Sequence, residues 1–175
     1  GAVRVVAARE LNLEELHAFK RRSKLELQVQ VHGMTNIYHS RRRLLHSYLG
    51  HIGREVGGTG MQAGLYLIEH ERPNDKLPIY EDRNGTHIMS PDDICLLEVL
   101  PELMEEPIDS LKIETLLKPV EYNEAVIRIY RQAIDAWAER RDLEPLTVGW
   151  LKEIRALQHP GRELSFGYLY KEQVY

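Results

Sequence analysis

A chain of 175 residues, of which 43% are hydrophobic, is long and apolar enough to bury a core, so wholesale disorder is excluded. No apolar run approaches the roughly 20 residues that span a bilayer, and no signal-peptide pattern opens the chain. Cys95 is the single cysteine, which excludes an internal disulfide and favours a reducing compartment. We therefore expect a soluble, cytoplasmic protein without a membrane anchor.

The net charge of −4 is unevenly distributed along the chain. Residues 1–54 carry 10 Lys and Arg against 4 Asp and Glu, whereas residues 55–175 carry 13 against 23. A basic segment of this kind can attract phosphate or nucleic acid, although solvated helix faces are commonly charged as well.

The first elements predict a strand, a helix and a second strand. Residues 3–8 form a short β-branched run, and Asn12 followed by Glu15 is typical of a capping box for a helix over residues 13–22. Residues 25–32 alternate strictly between apolar and polar side chains, as in a strand with one buried face. Strand, helix and strand within about 30 residues indicate a βαβ unit with parallel strands.

The remaining chain continues this rhythm with one interruption. We predict a helix over residues 92–105, a third parallel strand over 109–114 and a long helix over 121–141. Residues 50–90 instead predict short strands, two of them joined by an Asn84-Gly85 hairpin turn. We interpret residues 1–175 as one α/β domain, part of a (β/α) barrel, with an insertion at about residues 50–90.

In a barrel, polar alternate residues point inward and the chemistry lies at the carboxyl ends of the strands. This rule places His32 and Glu114 at the working face, with Lys112 deeper and Arg9 at the end of the first strand. We take His32, Glu114 and Lys112 as candidate catalytic groups and Arg9 as a candidate substrate-binding group. A satisfied polar layer inside the barrel explains the same pattern equally well.

A second cluster of chemical groups lies between residues 32 and 51. His39 and His46 are seven residues apart, but no carboxylate lies among them, so no metal site is expected. Residues 41–43 are three arginines at the start of a predicted helix; with His39 they are candidates for binding an anionic substrate. A partly solvated basic helix start is the alternative. No nucleophile elbow, His-Glu-x-x-His helix or P-loop is present.

Several motifs together resemble a known family over nearly the whole chain. In chain order they are Arg4-Val-Val-Ala-Ala-Arg-Glu-Leu11, Val31-His-Gly33, residues 38–45, Glu81-Asp-Arg-Asn-Gly-Thr-His-Ile-Met-Ser90, Asp93-Ile-Cys95, and Ile108-Asp-Ser-Leu-Lys-Ile-Glu114 followed by Lys118 and Tyr122. The family is peptidase family U32, the collagenase-like proteases. The resemblance implies a barrel-like core, of which this chain resembles the later strands, and adds Tyr122 to the substrate-binding candidates.

The family name implies proteolysis by an unassigned mechanism, but other members look like proteins of tRNA, ribosomal RNA or ubiquinone hydroxylation, usually with an iron–sulfur cluster on four cysteines. Here Cys95 matches the last of the four positions, while the first is Asn36, the second is Arg43 and the third falls in the cysteine-free residues 57–61. We therefore expect no iron–sulfur cofactor and a cluster-less type of paralogue.

The leading hypothesis is a role in tRNA wobble-uridine hydroxylation together with a paralogous partner, with the basic segment touching RNA. A peptidase and a non-enzymatic scaffold are the alternatives. Because an incomplete barrel exposes two sheet edges, we also expect the chain to pair through them, with a paralogue or with a second copy.

Overall fold

The computed structural model describes residues 1–54, 58, 64–106, 108–139 and 142–171. They form two units, one of Gly1–Gly33 with Asp93–Tyr175 and one of Met34–Asp92. In chain order the elements are β1 (Arg4–Val6), α1 (Leu13–Arg22), β2 (Glu26–Gly33), β3 (Asn36–Ser40), α2 (Leu44–His51), β4 (Tyr66–Ile68), β5 (Lys76–Asp82), β6 (Gly85–Met89), β7 (Asp93–Cys95), α3 (Leu100–Leu103), β8 (Ser110–Ile113), α4 (Val120–Ala138), α5 (Glu144–Leu157) and β9 (Leu164–Ser165).

The first unit is built on three parallel strands. β1 and β8 both pair with β2 in parallel, and each contacts Gln28 from its own side, so β2 lies between them. Helix α1 connects β1 to β2, which confirms the predicted βαβ unit. The α/β class is therefore correct. The described strands form open sheets, and no closed barrel is found among them.

Helix α1 begins where its sequence predicts. The Asn12 side chain accepts a hydrogen bond from the backbone N–H of Glu15 at 3.0 Å, and the Glu15 carboxylate accepts one from the backbone N–H of Asn12 at 2.9 Å. This reciprocal capping box satisfies two backbone donors that the first turn leaves without a partner.

The core of the first unit lies between one face of the sheet and the helices. The apolar residues of β2 alternate into it, and Leu27, Val29 and Val31 are all buried. Helix α4 buries Val126 and Ile129 in the same cluster. The helix predicted over residues 121–141 is thus present, although residues 140 and 141 lie outside the described part.

The prediction of a helix over residues 92–105 is wrong for most of that range. Residues 93–95 instead form β7, which pairs antiparallel with the end of β2 and parallel with β9. Only Leu100–Leu103 is helical, with Pro101 in its first turn. Hydrogen bonding of β7 to two strands outweighs the local preference for a helix, because both edges of this short segment gain backbone partners.

The second unit is an antiparallel sheet in the order β3-β6-β5-β4. The predicted Asn84-Gly85 hairpin joins β5 to β6, and Gly85 has a φ of +122°. The unit contains the described part of the predicted insertion and also residues 34–49, since β3 pairs with β6. Within the described residues, no helix has both the length and the apolar character needed to cross a membrane.

Candidate functional site

The polar face of the parallel sheet carries two of the candidate catalytic groups. Lys112 Nζ lies 3.1 Å from a carboxylate oxygen of Glu114, and both side chains are partly exposed, by 40% and 29%. Arg9, Gln30 and Lys112 line a small cavity of about 60 Å³. The structure thus brings Lys112 together with both Glu114 and Arg9, in surroundings that can bind an anion or exchange a proton with solvent.

His32 lies on the opposite face of the sheet from the one predicted. The pairing of β2 with β8 shifts register between Gln30 and His32, so His32 is opposite Ile113 rather than in line with Lys112. Its side chain is completely buried, and its Nε2 lies 2.8 Å from the hydroxyl of Tyr122 on α4. The placement of His32 at the barrel mouth is therefore corrected. A bulge reverses the alternation of a strand and leaves no signal in its apolar pattern.

The prediction that Tyr122 binds substrate is also corrected. It is only 2% exposed and belongs to the core cluster of the first unit, so it offers no open surface to a substrate. Its hydroxyl contacts His32 instead.

The buried histidine and tyrosine are both neutral near pH 7. Burial lowers the pKa of His32 to about 4; the charge of Asp93 opposes this shift and that of Lys118 adds to it. Burial also raises the pKa of Tyr122. The Nδ1 atom of His32 has no hydrogen-bond partner in the part of the chain that the structure describes. This pair cannot act as an acid or base toward a substrate in solvent, because it has no exposed surface; it can orient α4 against β2.

Next to this pair lies a buried charged cluster that sequence reasoning did not identify. Asp93 is completely buried and accepts hydrogen bonds from Arg162 Nη2 at 2.8 Å, from Gln158 Nε2 at 3.1 Å and from Lys118 Nζ. Burial lowers the pKa of Lys118, while its bond to Asp93 opposes the shift. Lys118 Nζ also lies 4.7 Å from the ring centre of Tyr122, which connects the cluster to His32.

The members of the charged cluster come from β7, the loop before α4 and the segment after α5. No local spacing links positions this far apart in the sequence. The motifs that carry the family resemblance include Asp93 and Lys118, and this was the only available signal.

In the second unit, a buried carboxylate fixes the start of the basic segment. The Glu81 side chain is 1% exposed and lies 3.1 Å from Arg43 Nε. It also accepts hydrogen bonds from the Thr86 hydroxyl at 2.8 Å and from the backbone N–H groups of Leu45 and His46 in the first turn of α2. Burial raises the pKa of Glu81, but these hydrogen bonds outweigh it, so the pKa lies below its usual value.

The three arginines of the basic segment therefore have different surroundings. Arg43 is tethered to Glu81, whereas Arg41 and Arg42 are exposed just before α2. His39 lies on β3, is exposed, and stacks its ring on that of His87 at 4.6 Å between centres.

The residues at the positions where the family resemblance implies cysteines do not fit an iron–sulfur cluster. Asn36 is hydrogen-bonded to His87 and Arg43 to Glu81, and neither is a ligand for iron. Cys95 is buried, and burial raises the pKa of its thiol. The described part of the chain holds no group of three or more His, Cys, Asp or Glu side chains that could bind a metal. Residues 57–61, apart from Gly58, lie outside that part, and the sequence places no cysteine among them.

These features define an α/β protein with a parallel βαβ core, a buried charged cluster beside its sheet, and an antiparallel unit that carries the basic segment. The chain matches the model of peptidase family U32 over residues 1–174 and belongs to that family, as the resemblance predicted.

Two curated relatives come from Bacillus subtilis. The whole chain aligns with tRNA hydroxylation protein P2 at 41% identity and covers 57% of that protein. It aligns with tRNA hydroxylation protein P1 at 30% identity over 88% of the chain, and covers 37% of that protein. An uncharacterized protease of Methanocaldococcus jannaschii is 35% identical over 77% of the chain. The chain thus spans little more than half of P2 and about a third of the other two. No solved structure matches it significantly.

Proposed function

We propose that the protein carrying this chain acts in tRNA hydroxylation, at the wobble uridine, together with a paralogous partner. The identity of 41% to tRNA hydroxylation protein P2, across the whole chain, is the observation that carries the proposal. Bacillus subtilis has both a P1 and a P2 protein, which supports a pair of paralogues that work together. A tRNA substrate is consistent with a cytoplasmic location.

The partner is proposed to hold the iron–sulfur cluster. This chain provides one buried cysteine, Cys95, and no cysteine at the other three family positions. In the pair, this protein contributes RNA binding and the polar groups of its sheet.

We assign β1, β2 and β8 to a (β/α) barrel. The three strands are parallel and adjacent in the sheet, with β2 between β1 and β8, and their polar face carries Lys112 and Glu114 at the carboxyl end of β8. Chemistry in such barrels lies at this end of the strands. In this arrangement Arg9 and Lys112 bind the anionic substrate, Glu114 takes part in proton transfer, and His32 supports the sheet from behind.

We assign Arg41 and Arg42 to contacts with the RNA backbone, because both are exposed just before α2. The nearby carboxylate of Glu81 does not compete with the RNA, since it is already bound to Arg43. Contacts between arginine and phosphate weaken as salt is added, since they release condensed counterions.

The proposal is tested by deleting the gene of the full-length protein and measuring tRNA nucleosides by mass spectrometry. The hydroxylated wobble uridine should disappear and should return when the wild-type gene is restored. A double variant with Arg41→Gln and Arg42→Gln should restore little of it. Arg72→Gln is a matched control, because Arg72 is an exposed arginine of the same unit that lies outside the basic segment and pairs with Glu69. Unchanged nucleosides after deletion would reject the proposal.

A peptidase is the second candidate, supported by the likeness to the Methanocaldococcus jannaschii protease. The exposed Lys112 and Glu114 pair is the polar group that could serve it. Cleavage of unfolded collagen by the purified protein, abolished by Glu114→Gln, would favour this candidate. A protein that forms a stable complex with a paralogue, but shows neither tRNA hydroxylation nor peptide cleavage, would favour the non-enzymatic scaffold.

A further inference from the structure

Three aromatic rings form a stack across the sheet of the second unit. The ring centres of Tyr80 and His87 lie 4.7 Å apart with their planes 10° from parallel, and those of His87 and His39 lie 4.6 Å apart at 21°. The three residues are direct cross-strand partners on β5, β6 and β3. The rings thus follow the spacing of the strands, which is about 4.7–4.9 Å in any sheet.

Hydrogen bonds hold the two histidine rings of this stack, which we call the ring ladder, in place. His87 contacts the Asn36 amide through Nδ1 and the Asp82 carboxylate through Nε2, both at 3.1 Å. His39 Nε2 lies 3.1 Å from the backbone oxygen of Asn84. Because a carbonyl oxygen only accepts, the Nε2 atom of His39 carries the hydrogen. The orientation of both rings is therefore fixed before anything binds, which lowers the entropic cost of stacking on them.

The ladder is closed at one end and open at the other. Tyr80 is only 5% exposed, whereas His39 is exposed and belongs to β3, the edge strand of the sheet. No described strand of this unit lies beyond β3, so one face of the His39 ring has no stacking partner from this sheet. Tyr38, beside it on the same strand, is 49% exposed.

Positive charge surrounds this open end. Arg41 and Arg42 follow His39 by two and three residues and are exposed. The neighbouring hairpin turn carries Arg83, together with Asp82, whose carboxylate contacts His87. The turn can approach Arg41 because Gly85 has no side chain: a Cβ there would lie 1.9 Å from the backbone oxygen of Ser40. Residues 34–54 contain four arginines, three histidines and no acidic residue.

A flat, fixed ring with a free face, flanked by arginines, matches the chemistry of unpaired RNA. Bases of single strands stack on aromatic side chains, while arginines bind the adjoining phosphates. A base-paired duplex hides its base faces and cannot use such a platform. We propose that the open face of His39 stacks on a base of an unpaired RNA loop, with Arg41 and Arg42 on the neighbouring phosphates. This inference rests on the proposed function for the identity of the RNA as tRNA.

The test measures binding of the purified full-length protein to a fluorescent single-stranded oligouridylate, with a duplex of the same length as the comparison. His39→Ala should weaken binding of the single strand by about 5- to 100-fold, the effect of losing one stacked base. Binding of the duplex should not change. His39→Phe should retain most of the affinity, because a phenyl ring restores stacking without the hydrogen bond. His70→Ala is the control, since His70 is an exposed histidine of the same unit outside the ladder.

Equal affinity of wild type and His39→Ala for the single strand would overturn the proposal, as would an equal loss for His39→Phe and His39→Ala. Loss of binding to a paralogue with unchanged RNA affinity would also overturn it, and would assign the β3 edge to strand pairing between proteins. Melting temperatures of the variants show whether any loss of binding arises from unfolding.

The platform and the proposed function fail in different ways. If gene deletion abolishes tRNA hydroxylation but a His39→Ala strain hydroxylates tRNA normally, stacking on His39 is rejected and the proposed function stands. If RNA binding depends on the His39 ring but gene deletion leaves every tRNA nucleoside unchanged, stacking on His39 is supported and the proposed function is rejected.

Discussion

The Nε2 atom of His32 lies 2.8 Å from the hydroxyl oxygen of Tyr122, and neither residue is more than 2% exposed. This contact joins the end of β2 to the first turns of α4, directly behind the sheet face that carries Lys112 and Glu114. It places a titratable ring where a charge would have neither water nor a free carboxylate to stabilise it. Protonation of His32 is therefore linked to the stability of the fold.

The first prediction concerns pH. Unfolded His32 binds a proton below its ordinary pKa of 6.5, whereas the folded residue does so only near pH 4. Between these values the unfolded state binds more protons, so stability falls as the pH falls. Each unit of pKa difference is worth about 1.4 kcal/mol, which gives a loss of about 3 kcal/mol by pH 4. Urea unfolding at pH 7 and pH 5 should show most of this loss.

His32→Gln should remove this dependence between pH 6.5 and pH 4, although it destabilises the protein at pH 7 by disturbing a packed site. His70→Gln should keep the wild-type dependence, because His70 is exposed. An identical pH dependence in wild type and His32→Gln would show that His32 is not the titrating group.

The second prediction concerns the buried charged cluster. Asp93→Asn removes the buried carboxylate that pairs with both Lys118 and Arg162. We expect a loss of about 3–5 kcal/mol, the usual cost of breaking a buried ion pair. The double variant with Asp93→Asn and Lys118→Met should recover part of that loss, because one uncompensated charge is removed. If the double variant is as unstable as the sum of the two single variants, the charges are not coupled.

The elements that the sequence predicts correctly are those specified by patterns of neighbouring residues. Asn12 and Glu15 form the capping box of α1, the alternation of residues 25–32 forms β2, and Asn84-Gly85 forms the hairpin. In each case the interaction that stabilises the element lies within a few residues of the pattern, so the sequence is sufficient to identify it.

The candidate site could be predicted only in part, because its geometry depends on contacts between distant segments. Glu114 and Lys112 lie two residues apart on one strand and come together as the alternation requires. His32 does not join them, since the shift in pairing between β2 and β8 depends on how two strands fit, not on the sequence of either. Asp93 meets Arg162 across 69 residues. Residues 93–95 form a strand where the sequence predicts a helix, because β7 pairs with β2 and β9, which are also far away in the sequence.

The third prediction concerns the tether of the basic segment. Glu81→Ala should destabilise the second unit by about 2–4 kcal/mol, because the first turn of α2, Thr86 and Arg43 all lose a buried acceptor. RNA affinity should fall with it, as Arg41 and Arg42 lose their fixed position. Arg43→Gln is the matched control: it removes one exposed contact of Glu81 and should cost less than about 1 kcal/mol.

The Glu81 tether also has its own pH dependence, opposite in origin to that of His32. Because the pKa of the folded carboxyl lies below its unfolded value of 4.5, its contribution is complete above that pH and is lost as the pH falls further. Glu81→Gln should therefore be less sensitive than wild type to acid below pH 4.5. Equal acid sensitivity of the two proteins would mean that Glu81 is not stabilised as a carboxylate.

The fourth prediction concerns the glycine that ends β2. Gly33 has a φ of +98°, and a Cβ added there would lie 2.1 Å from the backbone oxygen of Glu114. Gly33→Ala must therefore displace the end of β8 and weaken the 2.9 Å bond from the Glu114 N–H to the His32 oxygen. Left-handed backbone and overpacking together should cost about 2–5 kcal/mol. Because Glu114 pairs with Lys112, the proposed tRNA hydroxylation should fall more than stability alone explains.

Gly53→Ala separates these two contributions. Gly53 also has a positive φ, +66°, but an added Cβ meets no atom of the described residues within 4 Å. It should therefore cost only the backbone strain, about 1–2 kcal/mol, and leave the proposed tRNA hydroxylation unchanged at a temperature where the protein is folded. Thermal unfolding and tRNA nucleoside measurements on both variants make the comparison. If Gly33→Ala costs no more than Gly53→Ala, the close approach of β8 to the end of β2 does not constrain the site.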